Sequence, residues 1–412
     1  MSNLININVD SSKHEEFIKY FEKVLDKNKW IKLKQYYKDK NDTLIPEKIL
    51  PNGSGIVIKT GGSSGGNHQC FHSFDNLVLS ANATGKWLEE IGYSPENCII
   101  FNSLPMYHIS GLMPFWRSKI WGSKFINLPP KFTHSTSEIN MSLLGKINRE
   151  KNPPIISLVP TQLDRLLTKD SGVDFLKAFE IIWIGGAKLN RSLAAKARSL
   201  GIRLSPCYGA TETCAMVTAL SPNEFLNGET SCGQPLPGVE LKLEKQKILL
   251  IKTSRIGLGI WKNEEFQSLK DSNGWWKSQD IAEINSNKTS KYLKIIGRAD
   301  NAIISGGETV FPKLLEDKLI ILAKEAGIAI EKVMFLPIKD TEWGERIIAL
   351  IEWSNSYEAS SHKNKIIHIK KLIKDWKPAE KPIDWKQVNE LKFAEIERCN
   401  KSELEALLKK IK

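Results

Sequence analysis

Three short runs constrain the fold of this chain more than any other feature. Cys98-Ile99-Ile100-Phe101, Ile155-Ile156-Ser157-Leu158-Val159 and Ile181-Ile182-Trp183-Ile184 are apolar nearly throughout. A strand with one wet face alternates apolar and polar residues, so runs without alternation read as strands buried on both faces. Helical spacing surrounds them. Asn76 to Ile91 places Leu77, Leu79, Ala81, Trp87 and Leu88 on one side, a helix starts near Thr161, placed to cap it, and Arg191 to Leu200 is closed by Gly201. His14 to Lys34 reads as a further helix on Phe17, Ile18, Phe21, Val24 and Leu25. Buried strands alternating with helices predict an α/β protein with largely parallel sheets covered by helices.

From about residue 229 the texture changes. Val239 to Leu243 and Ile248 to Ile251 read as short strands of a mainly antiparallel region. A more charged last third follows, with helices at Lys313–Lys324 and Lys363–Asp375 and strands at Lys332–Leu336 and Arg346–Ile351. A chain of 412 residues is too long for one compact core. Two domains are expected, 1–299 and 300–412, with the boundary near Asp300.

Composition excludes more than it assigns. The net charge is +12, but the lysines are scattered and no nucleic-acid motif accompanies them. They read as a solvated surface, with attraction of polyanionic cofactors second, so no nucleic-acid partner is expected. The 6 cysteines form no Cys-x-x-Cys pair and no zinc pattern, and reduced thiols are expected. Met1-Ser2-Asn3-Leu4-Ile5 lacks a basic segment leading into a long apolar run, and no apolar stretch is long enough to cross a bilayer. A cytoplasmic protein without a membrane anchor is expected.

Chemistry enters with Thr60-Gly61-Gly62-Ser63-Ser64-Gly65-Gly66, which follows the apolar run Gly55 to Lys59. Four glycines and three hydroxyl residues cannot build a core, but their N–H and hydroxyl groups can wrap a phosphate chain. Downstream stand Tyr208-Gly209-Ala210-Thr211-Glu212-Thr213-Cys214, Gly274-Trp275-Trp276-Lys277-Ser278-Gln279-Asp280 and Gly297-Arg298-Ala299-Asp300. Thr211 and Glu212 suit a magnesium triphosphate, the carboxylate as ligand of the hard cation and the hydroxyl toward phosphate oxygen. Asp280 could accept from two vicinal hydroxyls at once.

In this order and spacing, the segments resemble the adenylate-forming superfamily of acyl-CoA ligases, peptide-synthetase adenylation domains and luciferases. Leu104-Pro105-Met106-Tyr107-His108-Ile109-Ser110-Gly111-Leu112, Leu158 to Leu163 and Gly185-Gly186-Ala187 look most like the o-succinylbenzoate–CoA ligase branch, which serves menaquinone and phylloquinone synthesis. The resemblance runs from about residue 55 to about residue 320, with a fainter tail. It implies a large N-terminal domain of stacked sheets with helices and a small mobile α+β C-terminal domain that turns about Asp300 between two half-reactions. It also implies an AMP-forming ligase of ATP, a carboxylic acid and coenzyme A, with Mg²⁺.

The resemblance carries roles to particular residues. Thr60, Gly61, Gly62, Ser63, Ser64 and Gly65 would hold the terminal phosphates. Tyr208 would stack on adenine, with Gly209 and Gly186 beside the nucleotide. Thr211 and Glu212 would act in catalysis, Glu212 as the magnesium ligand. Asp280 would bind the ribose hydroxyls, and Arg298 ribose or phosphate. His108 would line the acyl site, with Gly185, Gly186, Cys214 and Val217 as walls.

Two departures matter. The glycine loop of relatives usually ends in Pro-Lys, where this chain has Asn67 and His68. His68 reads equally as a substitute cation and as a surface histidine. Relatives place a Gly-Lys near the C-terminus, where this chain has Glu397-Arg398-Cys399-Asn400-Lys401-Ser402-Glu403. Lys401 is the candidate for the adenylation lysine, although strict counting points to Glu403 and a solvated helix lysine is a nearly equal reading. Beside the o-succinylbenzoate ligase stand a ligase for another aromatic or short acyl acid and a non-catalytic nucleotide-binding homologue.

Overall fold

The computed structural model describes residues 3–10, 13–25, 27–35, 44–60, 68–129, 132–133, 144–145, 147–286, 291–299, 302–354 and 362–388. The chain divides into two compact units. The first comprises residues up to Glu244, Leu249–Ser278 and Ala282–Ile295, and the second Lys245–Ile248, Gln279–Ile281 and the chain from Ile296 onward.

Two sheets build the first unit. The apolar runs form the parallel centre of a seven-stranded sheet with β5 (Ile99–Asn102), β6 (Lys124–Asn127), β7 (Pro154–Leu158), β8 (Ile181–Ile184), β9 (Leu204–Ala210), β10 (Ala215–Ala219) and β11 (Gln234–Pro235) in the order β11-β10-β9-β8-β7-β5-β6. Strands β5 to β9 pair in parallel, and β10 and β11 close one edge antiparallel. The other sheet is mixed. It comprises β1 (Leu4–Val9), β2 (Trp30–Gln35), β3 (Gly55–Lys59), β4 (Gln69–Ser73), β14 (Gly259–Lys262) and β15 (Glu265–Ser268) in the order β1-β2-β3-β4-β14-β15.

Burial on both strand faces is met by helices. On the seven-stranded sheet, Ile156, Leu158, Ile182 and Ile184 pack with α4 (Pro160–Leu167), α5 (Asp170–Lys177) and α6 (Arg191–Ser199) through Leu163, Phe175 and Leu193. Its other face meets α2 (Phe74–Glu90) through Trp87 and Leu88. The same α2 turns Leu77 and Ala81 toward Ile31, Ile56 and Ile58 of the mixed sheet. Helix α2 is therefore wedged between the sheets, which is why nine of its residues are buried. Helix α1 (His14–Leu25) and α3 (Ile109–Trp121) join the second contact through Phe17, Phe21, Leu112 and Phe115.

Two local expectations change. The helix from His14 ends at Leu25, and Trp30-Ile31-Lys32-Leu33 is a buried strand instead. Asn28 at φ 49 breaks the helix, and β2 pairs in parallel with both β1 and β3. Thr161 does not cap α4. The helix begins at Pro160, whose missing N–H costs nothing in the first turn, and the Gln162 Oε1 accepts from the Val159 N–H at 3.1 Å.

A four-stranded sheet runs in the order β12 (Glu240–Leu243), β13 (Ile248–Lys252), β16 (Trp275–Ser286), β17 (Lys291–Arg298). Strands β12 and β13 pair antiparallel. In the second unit β18 (Ile303–Ser305), β19 (Glu308–Val310), β20 (Ile330–Asp340), β21 (Gly344–Trp353) and β22 (Asp384–Gln387) form a five-stranded sheet. One face packs on α7 (Pro312–Glu325) and α8 (His362–Leu372) through Leu319, Phe335, Ile347 and Ile369, an α+β arrangement. Among the described residues, no helix is long and apolar enough to cross a membrane.

Candidate active site

Parallel strands leave a crevice at their carboxyl ends, and ligands of open α/β sheets bind there. That edge gathers the expected segments. Strand β5 ends into Leu104–His108, β7 into Val159, β8 into Gly185-Gly186 and β9 into Thr211. Gly186 sits at φ +79, the left-handed conformation that glycine adopts without a Cβ clash. Strand β9 runs into the tyrosine–glycine segment itself. Tyr208, Gly209 and Ala210 are strand residues, and the turn begins at Thr211.

The turn from Thr211 to Cys214 is tied on every side. The Thr213 hydroxyl accepts from the Ala210 N–H at 2.9 Å and lies 2.8 Å from the Ala215 carbonyl. Cys214 and Ala215 have φ 55 and 76, an uncommon pair of left-handed residues without glycine. The Ser80 hydroxyl of α2 holds them by donating to the Cys214 carbonyl at 2.6 Å. From the other side, the Gly257 N–H donates to the Glu212 carbonyl at 2.8 Å. A Cβ on Gly257 would lie 3.0 Å from both the Cys70 sulfur and the Phe71 carbonyl, so this close approach favours glycine. Thr211 and Glu212 themselves remain half-buried at the edge.

Beneath the turn lies His72, a residue that local pattern does not single out. It is fully buried on β4, and its Nε2–H donates to the Thr211 carbonyl at 2.7 Å across 139 residues of sequence. Burial lowers its pKa to about 4 from 6.5, against the opposing effect of that hydrogen bond. The folded protein therefore binds this proton more weakly than the unfolded chain. The associated stability is complete above pH 6.5 and is lost as pH falls toward 4, about 3 kcal/mol in all. Urea denaturation between pH 7 and pH 4 should show that loss, and His72→Gln should flatten it. An equally steep acid loss in the variant would remove His72 as its source.

The glycine-rich segment connects two antiparallel strands. Thr60, at the end of β3, is buried, and its N–H donates to the His68 carbonyl at 2.9 Å, closing the hairpin of β3 and β4. Gly61, Gly62, Ser63, Ser64, Gly65, Gly66 and Asn67 lie outside the described residues, as do Asp300, Lys401 and Glu403. Burial and the charge of Lys262 lower the His68 pKa, which favours the neutral imidazole. His108 precedes α3 and is half-buried; burial and then the charge of Lys59 lower its pKa. Lys59 thus brings the start of the glycine hairpin within electrostatic reach of His108.

Asp280 and Arg298 fall together in the second unit, on β16 and β17. Arg298 Nη1 lies 3.9 Å from Asp280 Oδ1, a loose ion pair on half-buried side chains. In the first unit Ser278 donates to the Leu249 carbonyl at 2.9 Å, so Ser278 is structural. For Mg²⁺, no group of three His, Cys, Asp or Glu side chains gathers among the described residues. A single Glu212 carboxylate still fits an ion whose other ligands are phosphate oxygens and water.

Two further residues stand close to this edge: Arg117 on α3 and Arg255, two residues before Gly257. Both are buried, at 3% and 1% exposure. Arg117 directly follows the apolar run Leu112 to Trp116, and a charge at that position is the available sequence signal. Arg255 offers none.

A family model described as AMP-binding enzyme matches residues 4–249, more than half of the 412-residue chain. A 2–succinylbenzoate–CoA ligase of Escherichia coli is 31% identical over 296 residues, 72% of this chain and 58% of that protein. The same-named protein of Haemophilus influenzae is 31% identical over 265 residues, 64% of this chain and 52% of the relative. The chain thus spans between half and three fifths of the length of these relatives. An E. coli MenE structure with a bound phenylether-linked analogue of OSB-AMS aligns at TM-score 0.65 and 23% identity, covering 95% of this chain and 80% of that one. A Bacillus subtilis MenE structure in complex with ATP and magnesium ion aligns at 0.63 and 20% identity, covering 93% and 75%. These structural matches establish a shared fold, and the family match establishes membership. The chain belongs to the AMP-binding enzyme family.

Proposed function

We propose that this chain is an ATP-dependent acid–thiol ligase, most specifically a 2-succinylbenzoate–CoA ligase acting in menaquinone or phylloquinone synthesis in the cytoplasm. The observation that carries the reading is the Thr211-Glu212 turn. It is fixed from below by His72 and from the side by Gly257, at the carboxyl edge of a parallel sheet. The names of the relatives support the substrate.

In the first half-reaction an oxygen of the acid attacks the α-phosphorus of ATP, and the bond to pyrophosphate breaks. In the second, the sulfur of coenzyme A attacks the acyl carbonyl, and the bond to AMP breaks. The first step supplies a good leaving group where the free acid has none. Thr60 and the glycine segment Gly61 to Gly65 hold the terminal phosphates, with Thr211 and the magnesium ligand Glu212 beside them. Tyr208, Gly209 and Gly186 flank the adenine, and Asp280 with Arg298 binds the ribose. His108 lines the acyl site, Lys401 is the adenylation lysine, and the chain turns about Asp300 between the steps.

ATP–pyrophosphate exchange with a panel of carboxylic acids tests the proposal. Exchange with 2-succinylbenzoate is the expected result. Exchange with a different acid would reassign the substrate, and no exchange with any acid would leave a nucleotide-binding homologue without this catalysis.

A further inference from the structure

Lys262 is the last residue of β14. Asn263 and Glu264, at φ 50 and 62, form the two-residue turn into β15, and Lys262 pairs with Glu265 across it. This tight turn requires left-handed residues at both central positions, so the end of β14 is fixed. The register then decides which way the side chain leaves. Trp261 pairs with Gln69 and packs with Val57 and Phe71 on one face of the mixed sheet. Ile260 pairs with Cys70 on the other face. Alternation returns Lys262 to the face of Ile260, Cys70 and His72, one step beyond the Trp261–Gln69 pair and beside His68.

That face lies under the Thr211-Glu212 turn. The Cys70 sulfur is 3.3 Å from His72 Nε2, which donates to the Thr211 carbonyl. Burial raises the Cys70 pKa, and the Glu212 carboxylate adds to the rise, so Glu212 stands within electrostatic reach of Cys70. From Cys70 to His68 is one repeat of the pleat, about 7 Å. Lys262 is half-buried there, and its charge, after burial, lowers the His68 pKa. His68 is thus held neutral, and Lys262 is the cation at this position. Among the described residues no carboxylate forms an ion pair with it. Lys59 also stands at the end of the β3–β4 hairpin, but it pairs with Gln69 and so starts from the Trp261 face, and its charge falls on His108.

A half-buried ammonium without a carboxylate partner, a short way along one face from the Glu212 carboxylate, suits a chain of phosphates. Lysine binds phosphate as a point charge, and partial burial strengthens that attraction over its value in water. Resting on the ligase reading above, we propose that Lys262 is a further catalytic residue, whose ammonium binds the β- and γ-phosphates of ATP. As the acid oxygen bonds to the α-phosphorus, the bond from that phosphorus to the bridging oxygen breaks. Its electron pair leaves on pyrophosphate, and Lys262 neutralises part of that charge.

The test measures binding of ATP with magnesium, and of AMP, by calorimetric titration without any acid present. Wild type is compared with Lys262→Met, Lys262→Arg, His68→Gln and Lys59→Met. Lys262→Met should weaken ATP binding by about 20-fold and AMP binding by less than about twofold, because AMP lacks the two phosphates concerned. Lys262→Arg should recover most of the loss, and His68→Gln should change ATP binding by less than about threefold. In exchange assays the KM for pyrophosphate should rise in Lys262→Met. Equal weakening of ATP and AMP, no weakening of ATP, or a selective loss in His68→Gln or Lys59→Met with none in Lys262→Met would overturn the assignment. Lys262→Met keeps an apolar stem, and failure of both this variant and Lys262→Gln to fold would make the residue structural and overturn it too. The two readings fail separately. Selective loss of ATP binding in Lys262→Met supports the site even if no acid gives exchange. Exchange with 2-succinylbenzoate that Lys262→Met leaves intact overturns the site while the ligase reading stands.

Discussion

Glu212→Gln is expected to cut acid-dependent ATP–pyrophosphate exchange by about 100-fold or more while leaving the protein folded. The change removes one unit of negative charge and replaces a carboxylate oxygen with an amide, a poor ligand for a hard divalent cation. Its structural cost should be small, about 1 kcal/mol at most, because residue 212 is half-buried and is tied in by its main-chain carbonyl on the Gly257 N–H. Exchange rates and a urea melt on the same preparation check both halves of this expectation. A folded variant that kept more than a tenth of the wild-type rate would take Glu212 out of the reaction. Raised magnesium should recover part of the lost rate if the carboxylate acts through the cation.

The second large effect is expected from Gly209→Ala, and it is one of stability. Gly209 pairs with Met216 across β9 and β10. A Cβ there would lie 2.1 Å from the Ala215 carbonyl oxygen and 2.5 Å from the Met216 Cα. Both are main-chain atoms, so no side chain can swing away. The strand pair has to shift, and with it the turn that carries Thr211 and Glu212. A loss of about 3 kcal/mol or more in chemical denaturation is expected, accompanied by weak nucleotide binding. Gly145→Ala is the control, because a Cβ at Gly145 meets nothing within 4 Å among the described residues. If the two variants were equally stable, the close approach at Gly209 would not constrain the fold.

Gly209 also shows where sequence reading reaches its limit. It was legible as a member of the Tyr208–Cys214 segment, but its reason, contact with a neighbouring strand's backbone, was not. His72 is a clearer case. It stands in Gln69-Cys70-Phe71-His72-Ser73, where nothing local distinguishes it, yet it supports Thr211 from 139 residues away. Strand β9 continues through Gly209 to Ala210 although glycine weakens the local β signal, because the partner strand β10 supplies the pairing. In the same way, Trp30 to Leu33 followed a helical run and lost its own identity until β1 and β3 gave it neighbours.

Local chemistry wrote the apolar runs of β5, β7 and β8, the helices between them, and the order of the glycine, tyrosine–threonine–glutamate and aspartate segments. Those follow from side-chain type and spacing along the chain, which fix what each stretch can bury or bind. Which distant groups meet was decided by packing: His72 under Thr211, Gly257 against Glu212, and Arg255 enclosed near Arg117 and Cys214. The physical reason is that burial and hydrogen-bond partners belong to positions in space, and a charge that looks solvated in the sequence is buried only once the fold has shut water out.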